Sequence, residues 1–179
     1  MAFSDNEIIT TMQSNTEQGF RMLMAEYGKP IYWHIRRLVV SHDDAQDATQ
    51  ETLVRVYRAF HSFRGDSSLK SWIYRIASNE ALRQISKRRQ EEVSIDSDST
   101  GVEIIATDGY IDFNDKVAVD FQKAILSLSP KQQLAFNLRY YDELSFDEIA
   151  KITDSTAASA KVNYHLAKHK IKAYLNANE

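Results

Sequence analysis

Residues 145–168 read Ser-Phe-Asp-Glu-Ile-Ala-Lys-Ile-Thr-Asp-Ser-Thr-Ala-Ala-Ser-Ala-Lys-Val-Asn-Tyr-His-Leu-Ala-Lys. Ser145 to Glu148 is a capping box, in which a serine hydroxyl and a glutamate carboxylate satisfy each other's backbone amides at a helix start. Ile149, Ala150 and Ile152 follow as the inner face of a short helix. Asp154-Ser155-Thr156 is a tight turn, and a second helix runs from about 156 to 175 with Ala160, Tyr164, Ala167, Ile171 and Leu175 on one face. Short helix, tight turn and lysine-bearing second helix are the layout of helix-turn-helix DNA readers, whose second helix fills a major groove. Taken alone, the same pattern also fits a helical hairpin in a bundle with a solvated lysine face.

Working outward, the rest of the chain reads as helix too. Ser129-Pro130 pairs a cap with a proline at the first helical position and opens a helix with Leu134, Ala135, Leu138 and Tyr141 inward. Val117, Phe121, Ala124, Ile125 and Leu128 mark another before it. Ser67 or Ser68 caps a helix with Leu69, Trp72, Ile73, Ile76, Ala77 and Ile85 inward, ending at Lys87-Arg88-Arg89. Ser41 to Asp44 opens a helix whose apolar face runs Ala45, Ala48, Leu53, Val56, Tyr57 and Phe60. Ser4 to Glu7 is a further capping box. The Gly28-Lys29-Pro30 stretch predicts a kink or break, because proline removes an amide and clashes one turn back. The expected fold class is all-α: two small helical domains joined by an acidic flexible linker, with domains at 1–90 and 116–179 and the linker at 91–115.

The chain has 179 residues, no cysteine and a formal net charge of −3. No cysteine excludes a disulfide scaffold, a thiolate metal site and a cysteine nucleophile. No apolar run reaches the roughly 18–20 residues of a membrane span, and the N-terminus has no signal-peptide pattern, so a cytoplasmic protein without membrane insertion is expected. The net charge hides a pattern. Residues 55–89 hold nine basic and two acidic side chains, net +7, and residues 90–120 hold one basic and nine acidic, net −8. Residues 156–175 hold four lysines and no acid. Two basic blocks around an acidic one fit contacts with phosphates at two places. No catalytic constellation stands out. His165 and His169 are four apart, but no HExxH pattern or nearby carboxylate accompanies them, so no metal and no cofactor are expected.

Four stretches resemble a known family. Asp47-Ala-Thr-Gln-Glu-Thr-Leu-Val-Arg-Val-Tyr57 is similar to the region 2 signature of bacterial sigma factors. Phe63-Arg-Gly-Asp-Ser-Ser-Leu-Lys-Ser-Trp-Ile-Tyr-Arg-Ile-Ala-Ser-Asn79 resembles the segment that follows it. Leu128 to Gln133 and Arg139 to Ala150 resemble the start of region 4 and its helix-turn-helix. The order and the lack of other regions match the extracytoplasmic-function (ECF) subgroup.

That resemblance implies a non-catalytic transcription initiation factor with core RNA polymerase and promoter DNA as partners, and an anti-sigma factor as a frequent third. By position, Asp47, Gln50 and Glu51 would dock on polymerase. Phe63, Arg64, Asn79, Arg83, Lys87 and Arg88 would hold the −10 element and help open it. Ser159, Lys161, Asn163, His165 and Lys168 would read the −35 element. The chain departs from the family pattern at Asp154, usually glycine; at Ala160, usually valine; at Asn163 and Leu166, usually basic; and at Arg83, often acidic. Fewer arginines mean fewer bidentate guanine contacts, and Asn163 suits adenine. The alternative is a free-standing helix-turn-helix regulator, with residues 1–90 as a dimerisation or sensing domain. The acidic linker, with eight acids and no base over 91–115, also resembles single-stranded DNA in charge, and the resemblance implies either that it occupies a basic path on polymerase or that it is a solvated tether.

Overall fold

The computed structural model describes residues 3–39, 41–94, 112 and 114–179, and among these every regular element is helical. In chain order the helices are α1 Asp5–Ser14, α2 Thr16–Leu38, α3 His42–Ala59, α4 Leu69–Ser94, α5 Lys116–Leu126, α6 Pro130–Tyr140, α7 Phe146–Thr153 and α8 Ala157–Ala177. A 3-10 turn, Phe60–Ser62, follows α3. No described helix is long and apolar enough to cross a membrane.

The capping signals form as their chemistry dictates. The Glu7 amide donates to the Ser4 hydroxyl at 3.3 Å while the Ser4 amide donates to the Glu7 carboxylate at 2.7 Å. The Ser4 amide, and the Ser4 hydroxyl donating at 2.8 Å, favour the ionised carboxyl and hold its pKa below the usual glutamate value. Ser145 and Glu148 repeat the arrangement at α7, and Ser68 caps α4 by accepting from the Ser71 amide at 3.1 Å. Asp115 accepts from the Val117 and Ala118 amides and starts α5.

Pro30 does not break its helix: α2 is continuous from Thr16 to Leu38. Leu23 and Tyr27 before the proline and Ile31 and Ile35 after it are all buried on one stripe. Burying such side chains contributes about 1.5–3 kcal/mol each, against about 3 kcal/mol for an interior proline. The break falls instead at Asn15, which ends α1 and caps α2 by accepting from the Gln18 amide at 3.2 Å. There α1 folds back on α2, close enough that a Cβ at Gly19 would lie 2.4 Å from the Met12 backbone nitrogen.

Two more expectations need correction. Tyr57 is 47% exposed, set edge-on to Phe20, because the inner row of α3 is Ala45, Ala48, Thr52 and Val56. Helix α4 runs past Arg89 to Ser94, since no proline or glycine stops it. Most of the acidic linker lies outside the described residues.

The two helical groups are docked. One apolar cluster takes Leu23, Ile31, Ile73 and Ala77 from α2 and α4 together with Leu138, Ile149, Ile152 and Ala160 from α6, α7 and α8. A second, smaller cluster of Ala124, Ile125, Phe136, Ala167 and Ile171 ties α5, α6 and α8.

Candidate nucleic-acid interface

The outer face of α3 carries Asp47, Gln50 and Glu51, all exposed. Seven residues on from Asp47, on the same stripe, Val54 is 41% exposed. Sequence reading did not single it out; its i+7 spacing from Asp47 is the signal that places it there. An acidic row with one exposed aliphatic group suits a protein surface better than a phosphate backbone.

Beyond α3, the Phe60–Ser62 turn and the loop to Leu69 bring Phe60, Phe63 and Trp72 together. The Phe63 and Trp72 rings lie 5.1 Å apart and the Phe60 and Trp72 rings 6.3 Å. Trp72 is half-buried and supports this loop. Gly65 has φ +78, a left-handed conformation that a side chain rarely adopts. The loop, with Arg64 exposed at its rim and Arg75 nearby, lines a cavity of about 850 Å³ whose far wall is Asp147, Lys151 and Asp154 of the helix-turn-helix.

Further along α4, Asn79, Arg83 and Lys87 are exposed. Arg83 is not free to roam. Its Nη1 sits 2.8 Å from a carboxylate oxygen of Glu80, and Arg55 Nε of α3 approaches the same oxygen to 2.6 Å. Glu80 is only 6% exposed, so it is a buried anchor for two surface guanidiniums. These groups border a cavity of about 520 Å³ that also includes Arg58, His61 and Asn79. Neither Arg55 nor Glu80 was named from sequence, because the pairing joins residues 25 apart on two helices. Arg88 is half-buried and pairs with Asp44 at 2.5 Å, while Gln84 donates to the same Asp44 at 3.1 Å. This links α4 to the first turn of α3.

In the helix-turn-helix, Asp154 ends α7 with φ 53, so an aspartate fills the left-handed position where the family pattern has glycine. Thr156 caps α8 by accepting from the Ser159 amide at 3.1 Å. Ser159, Lys161 and His165 are exposed; Asn163 and Lys168 are half-buried, with the Lys168 ammonium 5.5 Å from the Tyr164 ring centre. Ser159 and Asn163 do not share the open side of α8 with Lys161 and His165. They line a cavity of about 440 Å³ together with Asn79 of α4. Expected −10 and −35 residues are thereby brought into one crevice.

Polar contacts fasten that crevice. Asp142, in the turn between α6 and α7, lies 3.5 Å from His34 Nδ1 and 3.7 Å from Arg37, and accepts from the Tyr74 hydroxyl at 3.3 Å. Burial first, then the Asp142 charge, holds the Tyr74 hydroxyl protonated well above the usual tyrosine range. The Arg37 guanidinium stacks 4.4 Å over Tyr141, and Gln133 donates to the Arg37 carbonyl at 3.3 Å. Arg75 and Asp154 add a looser pair at 3.9 Å. Among the described residues no group of three His, Asp or Glu side chains is arranged to hold a metal ion.

Residues 23–91 match the family model Sigma-70 region 2, and residues 118–171 match Sigma-70, region 4. The ECF RNA polymerase sigma-E factor of Escherichia coli (strain K12) is 28% identical over 177 residues, covering 94% of this chain and 92% of that one. The RNA polymerase sigma-H factor of Pseudomonas aeruginosa is 26% identical over 176 residues, covering 93% and 91%. Two solved structures share the fold. One is CnrH in complex with the cytosolic domain of CnrY, with a TM-score of 0.74, 18% identity, and 98% and 99% of the chains covered. The other is the sigma factor RpoE in complex with the anti-sigma factor NepR from Bartonella quintana, with a TM-score of 0.68, 23% identity, and 89% and 98% covered.

Proposed function

The chain belongs to the ECF RNA polymerase sigma factors, transcription initiation factors with a region 2 and a region 4, and we propose how its surfaces divide that work. Residues 1–90 bind polymerase and the −10 element, 91–115 form the linker, and 116–179 bind the −35 element. On α3, Asp47, Gln50, Glu51 and Val54 meet core polymerase. The Phe63–Arg64 loop, with Asn79, Arg83, Lys87 and Arg88, takes the −10 strand. Extruding a base from the stack costs a few kcal/mol, so a loop with a cavity and anchored cations beside it is what the task requires. Ser159, Lys161, Asn163, His165 and Lys168, on α8, read the −35 element. The members of this family are not enzymes, and the chain is proposed to have no catalysis of its own.

The observation that carries the reading is Glu80 holding Arg55 and Arg83 beside Asn79, next to the aromatic loop. A sensing or dimerisation domain needs no such cationic anchor, so a free-standing regulator is the poorer account. With a net charge of −3, the protein should hold free duplex weakly. Polymerase supplies the affinity and DNA the selectivity.

The docked arrangement adds one requirement. Promoter elements named for positions roughly 25 base pairs apart are on the order of 80 Å apart, at about 3.4 Å per base pair. Asn79 and Asn163 line one crevice. Both elements are engaged together only after α6–α8 leave α2 and α4. Reconstitution tests the whole reading: core polymerase plus this protein should give promoter-specific run-off transcripts. A footprint on duplex DNA by the protein alone, with no transcript from the reconstituted pair, would favour the regulator.

A further inference from the structure

The open side of α8 carries two aliphatic side chains among its histidines. Ala160, Tyr164, Ala167 and Ile171 turn inward, and diametrically opposite them stand Ala158, Val162, His165, Leu166 and His169. Val162 is 56% exposed and Leu166 is 45% exposed, one turn apart. An aliphatic side chain at either place loses contact with water only if a partner covers it. Lysines flank the pair, Lys161, Lys168 and Lys172 on one side and Lys170, bonded to Gln132, on the other, with no acid on the helix, so the partner that matches this charge is polyanionic. No arginine is present on α8 to take guanine in the bidentate way.

We propose that Val162 and Leu166 are specificity residues that read the 5-methyl groups of two thymines in the major groove of the −35 duplex. The proposal rests on the assignment of α8 as the −35 reader and names what it reads. In the major groove the thymine methyl is the one apolar group on any base edge, and aliphatic side chains are its natural contact. Four residues rise about 6 Å along a helix, close to two base-pair steps, so the two thymines are about two steps apart. Lys161 on one flank goes to phosphate, and Asn163, once α8 has left α4, suits adenine on the other, which strengthens the preference for A·T pairs. The −35 element of this protein is therefore A·T-rich where the reading helix enters and carries no guanine run there.

The test uses holoenzyme reconstituted from core polymerase and the full chain. A promoter library randomised over the −35 element is selected by run-off transcription. Each selected thymine is then replaced singly by deoxyuridine, which removes only the methyl. Wild-type transcription is expected to fall about three- to fourfold at each of two positions, the factor that covering one methyl-sized group gives. Val162→Ala should abolish the effect at one position and Leu166→Ala at the other, with helical circular dichroism unchanged. Leu166→Arg should shift the base selected at its position toward guanine. Selection of a guanine run by wild type, or indifference to deoxyuridine, overturns the proposal while leaving the −35 role intact. So does loss of polymerase affinity in the alanine variants, which would make the patch a protein contact. Absence of any promoter-specific transcript overturns the function itself.

Discussion

The buried His34 imidazole of α2 directs Nδ1 at the Asp142 carboxylate 3.5 Å away, across the join between region 2 and region 4. His34 is fully buried, and its other nitrogen, Nε2, is 2.8 Å from the Ser78 hydroxyl of α4. One carboxylate thus gathers His34, Arg37 and Tyr74, three side chains of region 2, onto the turn that precedes α7. Removing it takes away the Tyr74 hydroxyl's acceptor and the carboxylate facing buried His34.

Asp142→Ala is therefore expected to weaken the docking by about 1–3 kcal/mol, the usual cost of stranding buried polar groups. Calorimetry should show one unfolding transition in the wild type and a split into two in the variant, with a larger radius of gyration by X-ray scattering. An unsplit transition and an unchanged radius would mean that the apolar cluster alone holds the two halves together.

Gly19→Ala tests the close approach of α1 to α2. Alanine favours a helix interior over glycine by about 1 kcal/mol, yet its Cβ would lie 2.4 Å from the Met12 nitrogen and 2.6 Å from its Cα. Backbone cannot give way as a side-chain end can, and overpacking costs typically 1–3 kcal/mol. The expected outcome in urea is a lower midpoint at unchanged m-value. A midpoint at or above wild type would show that α1 moves freely.

Two tyrosines set the alkaline limit. Burial and a carboxylate neighbour raise the pKa of Tyr27, beside Asp5 at 2.5 Å, and of Tyr74, beside Asp142. Their folded pKa lies above the unfolded value of about 10, so this stability is complete below pH 10 and is lost as pH rises beyond it. Absorbance at 295 nm should show both hydroxyls silent until the chain unfolds. Tyr27→Phe or Tyr74→Phe should then leave the amplitude before unfolding unchanged. A reduced early amplitude would contradict the assignment.

Glu80→Gln keeps shape and removes charge. Arg55 and Arg83 lose their shared partner, and a charged hydrogen bond contributes about 1.5–3 kcal/mol when both groups are protected. Both arginines are about half exposed, so a cost near 1 kcal/mol in stability is expected. Open-complex formation should fall further than that figure allows, because misplaced cations no longer meet the −10 phosphates. Permanganate reactivity of −10 thymines measures it. Opening that falls no further than stability would reduce Glu80 to a structural role.

Local chemistry was legible in the sequence, and the long-range contacts were not. Both capping boxes, the Ser129-Pro130 start and the helix-turn-helix form where their residues indicated. Pro30 misled because its local penalty is smaller than the burial on either side. Asn15 was missed because a one-residue hinge leaves the apolar periodicity almost intact. Asp142, Gln133 and Arg37 look like ordinary surface residues in sequence; only the docking of α6 on α2 gives them partners. In the same way Glu80 reads as one acid in a basic block, and nothing local says that it is buried between two arginines. Leu166 stands out in sequence only as a non-basic residue where the family pattern is basic, and Val162 not at all, because an aliphatic side chain carries no local mark of a DNA contact.

Val54 separates a polymerase contact from a solvated helix face. It stands on the stripe of Asp47, Gln50 and Glu51, seven residues from the first, and makes up no part of the core. Substitution there should not disturb folding, since exposed sites usually change stability by no more than about 0.5 kcal/mol. If the stripe meets core polymerase, Val54 is the apolar group at that contact, and a charge introduced there must be desolvated. Val54→Asp should then weaken binding to core polymerase at least about tenfold, or about 1.4 kcal/mol, with Tm unchanged. Gln50→Ala should weaken it less, because a truncated polar group leaves no charge behind. Fluorescence anisotropy of labelled protein titrated with core polymerase reads both. Wild-type affinity in Val54→Asp would move the polymerase contact off this face of α3.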